Sequence, residues 1–378
     1  MPDVLIFGDT VRSPELRHEV PMLIGDPFLY LEKGDRRVVA MHSLEIPRVR
    51  EEVPGVEIIP TDSLGLDDLV SQGLGWAALE LEIARRACEE VGITDASVPG
   101  TFPLELADHL RANGVEVTVE RELFEQRRRA KNETELAGIR RAQRACEAAL
   151  DAARDLMRRA SPNGGGLEVD GESLTSERIK SVIERVFAEH GVEGSDMIVS
   201  HGPQSAVGHN EGSGQIQPDE PIVFDLFPKD RQTGCYADMT RTYVIGTPSD
   251  EVQEWHRLVK EALERSTAAV KPGESGRALF DIACDIFEQA GYKTQRTKEP
   301  GEVLEEGFFH SLGHGVGLEV HELPSMGRMG EDLIPGDVIT IEPGLYRPGY
   351  GGLRLEDLVV VTNDGYEVIT KYPYDLAP

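Results

Sequence analysis

The chain has 378 residues, 39% of them hydrophobic and 6% aromatic. That length allows one very large domain or two ordinary ones, and the apolar share is enough for a sizeable core, which excludes a mainly disordered chain. With 68 acidic against 39 basic residues the formal net charge is −29, which argues against tracking a nucleic-acid backbone and against docking on anionic membranes.

Cys88, Cys146, Cys235 and Cys284 form no CxxC pair and are too few for a disulfide framework, so a reducing, cytoplasmic compartment is expected. Residues 1–23 carry Asp3, Asp9, Glu15 and Glu19 and lack the apolar core of a signal peptide. No run reaches the roughly 18 apolar residues of a membrane helix.

The first third predicts an α/β unit. Residues 4–7 are a short apolar run. Residues 28–32 and 36–41 flank Lys33-Gly34-Asp35 as two strands around a glycine turn. Residues 77–91 predict a helix, because Leu79, Ile83, Ala87 and Val91 recur every fourth position and Gly92 stops it. Val115, Val117 and Val119 alternate with Glu116 and Thr118 as a strand. Residues 126–132 are then basic and polar, and Asn132 with Glu135 makes a capping pair. A long helical pattern follows to about residue 159 through Leu136, Ile139, Ala142, Ala145, Ala149 and Leu156. The boundary is placed in this stretch, giving domains 1–128 and 129–378; the alternative is one more helix within a single domain.

Residues 161–171 are glycine-rich and predict a loop. A helix over 176–190 and a strand over 198–200 follow, and further helices are predicted over 250–269 and 276–290. SERIKSVIERVFAEHG and GRALFDIACDIFEQAG resemble each other loosely, a hint of internal duplication.

The C-terminal half concentrates metal-ligand residue types. Asp225 in IVFDLFP, Asp238 in CYADMTRT, His314 in SLGHGVGLEVHE, Glu342 in TIEPGLY and Glu356 in GGLRLEDLVVV each sit in or beside a strand-like apolar run. Carboxylates are rare in such places unless something compensates their charge. Singly, each reads as well as a turn, edge or loop residue. Together, four carboxylates and one imidazole would repel one another when empty, and they suit two divalent cations.

The blocks GHGVGLEVHE, TIEPGLY and GGLRLED, in this order, resemble the pita-bread metallopeptidases, which include Xaa-Pro dipeptidase (prolidase), Xaa-Pro aminopeptidase (aminopeptidase P) and methionine aminopeptidase. The resemblance spans about residues 130–378. It implies an α/β (α+β) chain: an N-terminal creatinase-like α/β domain, then a C-terminal pita-bread domain with a curved antiparallel sheet and helices. The length of the N-terminal part favours the proline-directed branch.

By that resemblance Asp225 binds one ion, Asp238 and Glu356 bridge both, and His314 and Glu342 bind the second. His209 in VGHNEGS and His321 in EVHE fall on the family's other two site histidines. His310 lines the pocket, and Arg354 is an arginine supporting the ligands. The implied cofactor is two divalent ions per chain; Mn²⁺ suits the oxygen-rich set, with Zn²⁺ or Co²⁺ as alternatives. Two ions about 3.5–4 Å apart hold a bridging hydroxide that attacks the scissile carbonyl. Glu342 serves also as general base and proton shuttle. His209 and His321 stabilise the oxyanion or hold the substrate's ends; the plainer alternative for His321 is a structural histidine bonded to Glu322. Arg328 in HELPSMGRMG is a candidate for a dipeptide's free carboxylate, with a surface arginine as its alternative.

The expected activity is Xaa-Pro dipeptidase, with Xaa-Pro aminopeptidase acting on longer peptides as the alternative. Expected partners are small peptides with proline in second place, and a second copy of the chain in a homodimer. A non-catalytic binding protein on the same fold and a metal-free creatinase-type hydrolase fit less well, because all five ligand positions are filled. Two departures stand out. The interval from Asp225 to Asp238 is 13 residues, about two more than usual, which preserves strand parity. Phe227 replaces the usual small residue and narrows the pocket.

Overall fold

The structure is a computed structural model and describes residues 2–378. The chain forms two compact units, Met1–Arg128 and Arg129–Pro378.

The first unit is built on one six-stranded sheet. Its strands are β1 (Asp3–Gly8), β2 (Phe28–Lys33), β3 (Arg36–Met41), β4 (Glu57–Pro60), β5 (Asp95–Val98) and β6 (Glu116–Val119). Their order is β4-β3-β2-β1-β5-β6. The pairs β1–β2 and β2–β3 are antiparallel, and the outer pairs are parallel. Alternation along the strands builds two cores. Leu5, Leu29, Leu31, Val38 and Ala40 pack with residues of helices Trp76–Val91 and Leu104–Ala112. Val4, Ile6, Tyr30, Val39 and Met41 pack with residues of helices Pro14–Glu19 and Ile46–Glu52. Gly92, at φ +79°, ends the helix it was expected to end.

Helix Arg121–Arg129 covers part of the basic stretch 126–132. In the second unit the Asn132–Glu135 pair closes a full capping box at the start of helix Glu133–Arg158. Residues 161–171 are not simply a loop. They contribute β7 (Ser161–Pro162) and β8 (Leu167–Val169), which pair antiparallel with each other, and β8 pairs with β9 (Glu172–Ser173). Leu167 and Val169 are buried in the main core. Two apolar side chains two residues apart decide the structure here, and glycines 164–166 only turn it.

Helix Ser176–Glu189 packs on Glu133–Arg158. The chain continues through β10 (Val192–Glu193), β11 (Ile198–His201), β12 (Pro221–Leu226), β13 (Lys229–Asp230) and β14 (Met239–Val244). β11, β12 and β14 form an antiparallel sheet in that order. Helices Asp250–Ala268 and Gly276–Gln289 form a second packed pair. Then come β15 (Gly313–Gly315), β16 (Glu322–Met326), β17 (Val338–Ile341), β18 (Gly344–Arg347), β19 (Gly351–Arg354), β20 (Asp357–Val361) and β21 (Tyr366–Val368). Five of these make an antiparallel sheet ordered β16-β15-β17-β20-β21, and β18–β19 is a hairpin. The two loosely similar stretches each supply the second helix of a pair.

Strand parity places the polar residues. Ile222, Phe224, Leu226, Met239 and Tyr243 pack with the first helix pair, and Ile339, Ile341, Leu353 and Leu355 with the second. Asp225, Asp238, Glu342, Arg354 and Glu356 have the opposite parity and line a cavity on the other side.

Candidate active site

The cavity has a volume of about 890 Å³ and lies within the second unit. Its wall contains Asp225, Asp238, His314, Glu342 and Glu356, together with His209, His310, His321 and Arg354. Asp238, His314 and Glu356 each offer one atom, all within 4.8 Å of one another. His314 Nε2 lies 3.4 Å from Glu342 Oε1 and 3.8 Å from Asp238 Oδ2.

Arg354 ties the carboxylates together. Its guanidinium donates to Asp225 Oδ2, to Thr240 Oγ1 at 3.1 Å and to Tyr346 Oη at 3.0 Å. Thr240 Oγ1 in turn donates to Glu356 Oε2 at 2.7 Å. Thr340 Oγ1 accepts from the His314 backbone N–H at 3.0 Å.

The donor set fits divalent cations on two counts. First, His314 Nδ1 lies 3.1 Å from the Gly315 carbonyl. A carbonyl only accepts, so Nδ1 carries the proton and Nε2 presents a lone pair to two carboxylates. Lone pairs converge there, and a cation is what relieves them. Second, Asp225 Oδ1 and Asp238 Oδ1 are buried without any hydrogen-bond partner. Orphaned buried carboxylate oxygens are costly and call for a ligand.

The electrostatics agree. Burial, and then the charges of Glu356, Asp225 and Glu342, push the Asp238 carboxyl well above its ordinary range. Glu356 is raised by burial and by Glu342 and Asp225. Burial lifts Glu342 to about 7, against the pull of Arg354. Burial also lowers the His314 imidazole, keeping it neutral as a ligand must be.

The remaining candidates separate. His209 is exposed at the cavity wall. The His321 ring stacks edge-on to His314, centroids 4.3 Å apart, while Glu322 accepts from Lys131 Nζ and the Glu319 N–H. His310 lines the cavity as expected, with both ring nitrogens engaged. Its Nδ1 is 2.7 Å from the Ser311 carbonyl and its Nε2 is 3.0 Å from Tyr346 Oη. Both ring nitrogens are therefore used inside the protein, and burial lowers its pKa to about 3. Its ring packs edge-on against Phe309 and Tyr346. Arg328 is exposed and is not among the residues lining the cavity; its carbonyl accepts from Arg277. Phe227 does line the cavity.

The long interval between Asp225 and Asp238 is an ordered excursion. β13 within it pairs with β10. Asp230 accepts from the Thr233 N–H and hydroxyl at 2.8 and 2.7 Å, and from a two-pronged Arg141 at 3.1 and 2.8 Å. Gly138 lets the long helix approach, since a Cβ there would meet Thr233 Oγ1 at 1.9 Å.

Sequence reasoning missed Thr240, Thr340 and Tyr346. A signal existed for the threonines: each lies two residues from a ligand-type carboxylate, Asp238 or Glu342, and so shares its strand face. Tyr346 gave no such signal, because its contacts come from another strand and a loop.

The profile of metallopeptidase family M24 matches residues 137–363, and the chain belongs to that family. It is 35% identical over 209 residues to the Xaa-Pro dipeptidase of Pyrococcus furiosus, covering 54% of this chain and 56% of that protein. It is 38% identical over 205 residues to an uncharacterized peptidase of Staphylococcus aureus strain MRSA252, covering 53% and 54%. The matched stretch thus spans about half the length of these relatives. Over the whole chain the fold resembles an X-Pro aminopeptidase from Thermotoga maritima MSB8, with a TM-score of 0.79, 25% identity and coverage of 99% and 97%. It also resembles the Xaa-Pro dipeptidase from Bacillus anthracis, with a TM-score of 0.77, 25% identity and coverage of 100% and 94%. The expected α/β architecture, ending in a pita-bread domain, is the observed one. Among the described residues no helix is long and apolar enough to cross a membrane.

Proposed function

We propose that the chain is a two-cation hydrolase of Xaa-Pro peptide bonds. The observation that carries this reading is the convergence of Asp225, Asp238, His314, Glu342 and Glu356 on one cavity, with one carboxylate oxygen each of Asp225 and Asp238 buried and without a hydrogen-bond partner. The relatives' names support the proline preference. Asp225 would hold one cation, His314 and Glu342 the other, and Asp238 and Glu356 both. Bound cations supply positive charge that polarises the scissile carbonyl and acidifies the attacking water. Mn²⁺ is the proposed metal, with Zn²⁺ or Co²⁺ as substitutes.

The chain's own groups do the rest. Glu342 takes the water's proton and delivers it to the leaving prolyl nitrogen, which has no hydrogen of its own. His209 and His321 donate to the oxygen that gains charge as the carbonyl is attacked. Phe309, the His310 edge, Phe227 and Val320 line the same cavity and offer the proline ring an apolar seat.

Dipeptidase remains the leading activity and aminopeptidase the second reading. One observation favours the second. Among the lining residues the only arginine or lysine is Arg354, already committed to Asp225, Thr240 and Tyr346. A dipeptide's free carboxylate finds no fixed cation there besides the metals. Hydrolysis of Ala-Pro against Ala-Pro-Ala with added Mn²⁺ decides between them, and inertness toward both ends the Xaa-Pro reading. The proposal extends to a cytoplasmic homodimer with a creatinase-like first domain over residues 1–128 and catalysis in 129–378. Four free, buried cysteines suit a reducing compartment.

A further inference from the structure

His201 stands outside the ligand set, yet it is buried at the end of β11 with both ring nitrogens engaged. Nδ1 lies 2.6 Å from Glu220 Oε1, and Nε2 lies 3.1 Å from the Ser213 carbonyl. Both partners are acceptors. A neutral imidazole has one N–H and satisfies only one of them; the imidazolium satisfies both.

The two partners close a loop. Residues 202–214 leave β11, carry Val207, Gly208, His209 and Glu211 along the cavity wall, and return to the Ser213 carbonyl. Gln204 reinforces the closure, donating to the Ser213 carbonyl and accepting from its N–H, both at 2.9 Å. Gly202, at φ +50°, leaves room for Glu220: a Cβ there would meet the carboxylate at 2.1 Å. His209 has no side-chain hydrogen bond or ion pair among the described residues, so the loop backbone alone sets its position.

We infer that His201 is a positioning residue, an imidazolium clasp with Glu220 that fixes the loop presenting His209 to the substrate. This rests on the peptidase reading only for His209's task, not for the clasp itself.

The surroundings do not supply a competing charge. Of the neighbouring groups, Glu177 accepts from the Gly214 N–H, Lys180 points to the Gly212 carbonyl and Glu211, and Asp219 accepts from the Thr247 N–H. On the adjoining hairpin Arg347 pairs with Glu251, and Arg354 with Asp225. Burial lowers the His201 pKa, but the Glu220 hydrogen bond and charge, with the Ser213 and Gly214 backbone, outweigh it and the net shift is upward. A raised folded value means the clasp holds at low pH and is lost as pH rises through that value.

The test uses the full, cation-loaded chain labelled with ¹⁵N-histidine. The His201 resonance is expected to keep its imidazolium signature past the ordinary histidine value of about 6.5, and in Glu220→Gln to lose it at lower pH. In the same variant kcat for Ala-Pro or Ala-Pro-Ala should fall about ten- to hundredfold, with KM and cation content unchanged and the alkaline limb moved to lower pH. His201→Gln should show the lower kcat and lack the alkaline limb that His201 contributes, since glutamine does not titrate. A His201 that titrates at or below the ordinary value, or variants whose pH profiles superpose on the wild type, overturns the clasp. If no Xaa-Pro peptide is cleaved at all, the peptidase reading falls while the resonance still decides the clasp.

Discussion

Arg354 donates to one oxygen of Asp225 and leaves the other, Oδ1, buried without a partner. One guanidinium thus holds the carboxylate by one oxygen and leaves the lone pairs of the other uncommitted. In the proposed site such a contact would orient a ligand without competing for the metal.

Arg354→Lys tests that relationship. Lysine keeps the charge but cannot reach Asp225, Thr240 and Tyr346 from one planar fork. Cation affinity or kcat should fall about 10–100-fold, measured by metal content and by Xaa-Pro hydrolysis. Unchanged values in both would remove Arg354 from the site.

Cation removal should expose the carboxylate repulsion. Chelation leaves Asp225, Asp238, Glu342 and Glu356 facing one another with Arg354 as their balancing charge. The chelated wild type should melt several degrees lower, about 2–4 °C for each kcal/mol lost. Asp238→Asn should be inactive, yet its cation-free form should melt above the cation-free wild type, because one repelling charge is gone. An Asp238→Asn chain that still cleaves Xaa-Pro bonds at full rate ends the ligand assignment, as would a fully active Glu356→Gln.

His321 stacks on His314 without being placed as a ligand. His321→Ala should lower kcat about 10²-fold while metal content stays the same. Loss of bound metal instead makes His321 a ligand and the proposed role wrong.

Asp230 makes an acid-sensitive anchor with partners of its own, Arg141 and Thr233. Burial pushes its carboxyl up, but the Arg141 fork and the Thr233 hydroxyl and N–H outweigh burial and hold it below the usual range. With a folded value below the unfolded one of about 3.9, its contribution is present above about pH 4 and is lost as pH falls through the lower folded value. Asp230→Asn should therefore cost about 1–3 kcal/mol at neutral pH, and the difference from wild type should shrink in acid. Thermal melts at pH 7 and below pH 4 measure it; a gap that stays constant contradicts the anchor.

Much of this protein is legible in one dimension. Four-residue spacing and Gly92 define a helix, Asn132 and Glu135 cap another, and period-two runs define the strands, because these depend on neighbours within a turn or a strand. The five ligand-type residues stand out for the same reason: charge inside apolar runs is locally anomalous. Where structure depends on distant partners, the chain order is silent. Leu167 and Val169 became strand residues because a core was there to receive them. His310 keeps its place on the cavity wall, but its second nitrogen goes to Tyr346, 36 residues away, a partner the chain order does not reveal. Arg328 fell outside the cavity, and His201, unremarked in the sequence, closed a loop through Glu220 and Ser213. Local propensity and alternation set which residues can share a face; only the packed chain decides which faces meet, since hydrogen-bond partners are chosen by position in space.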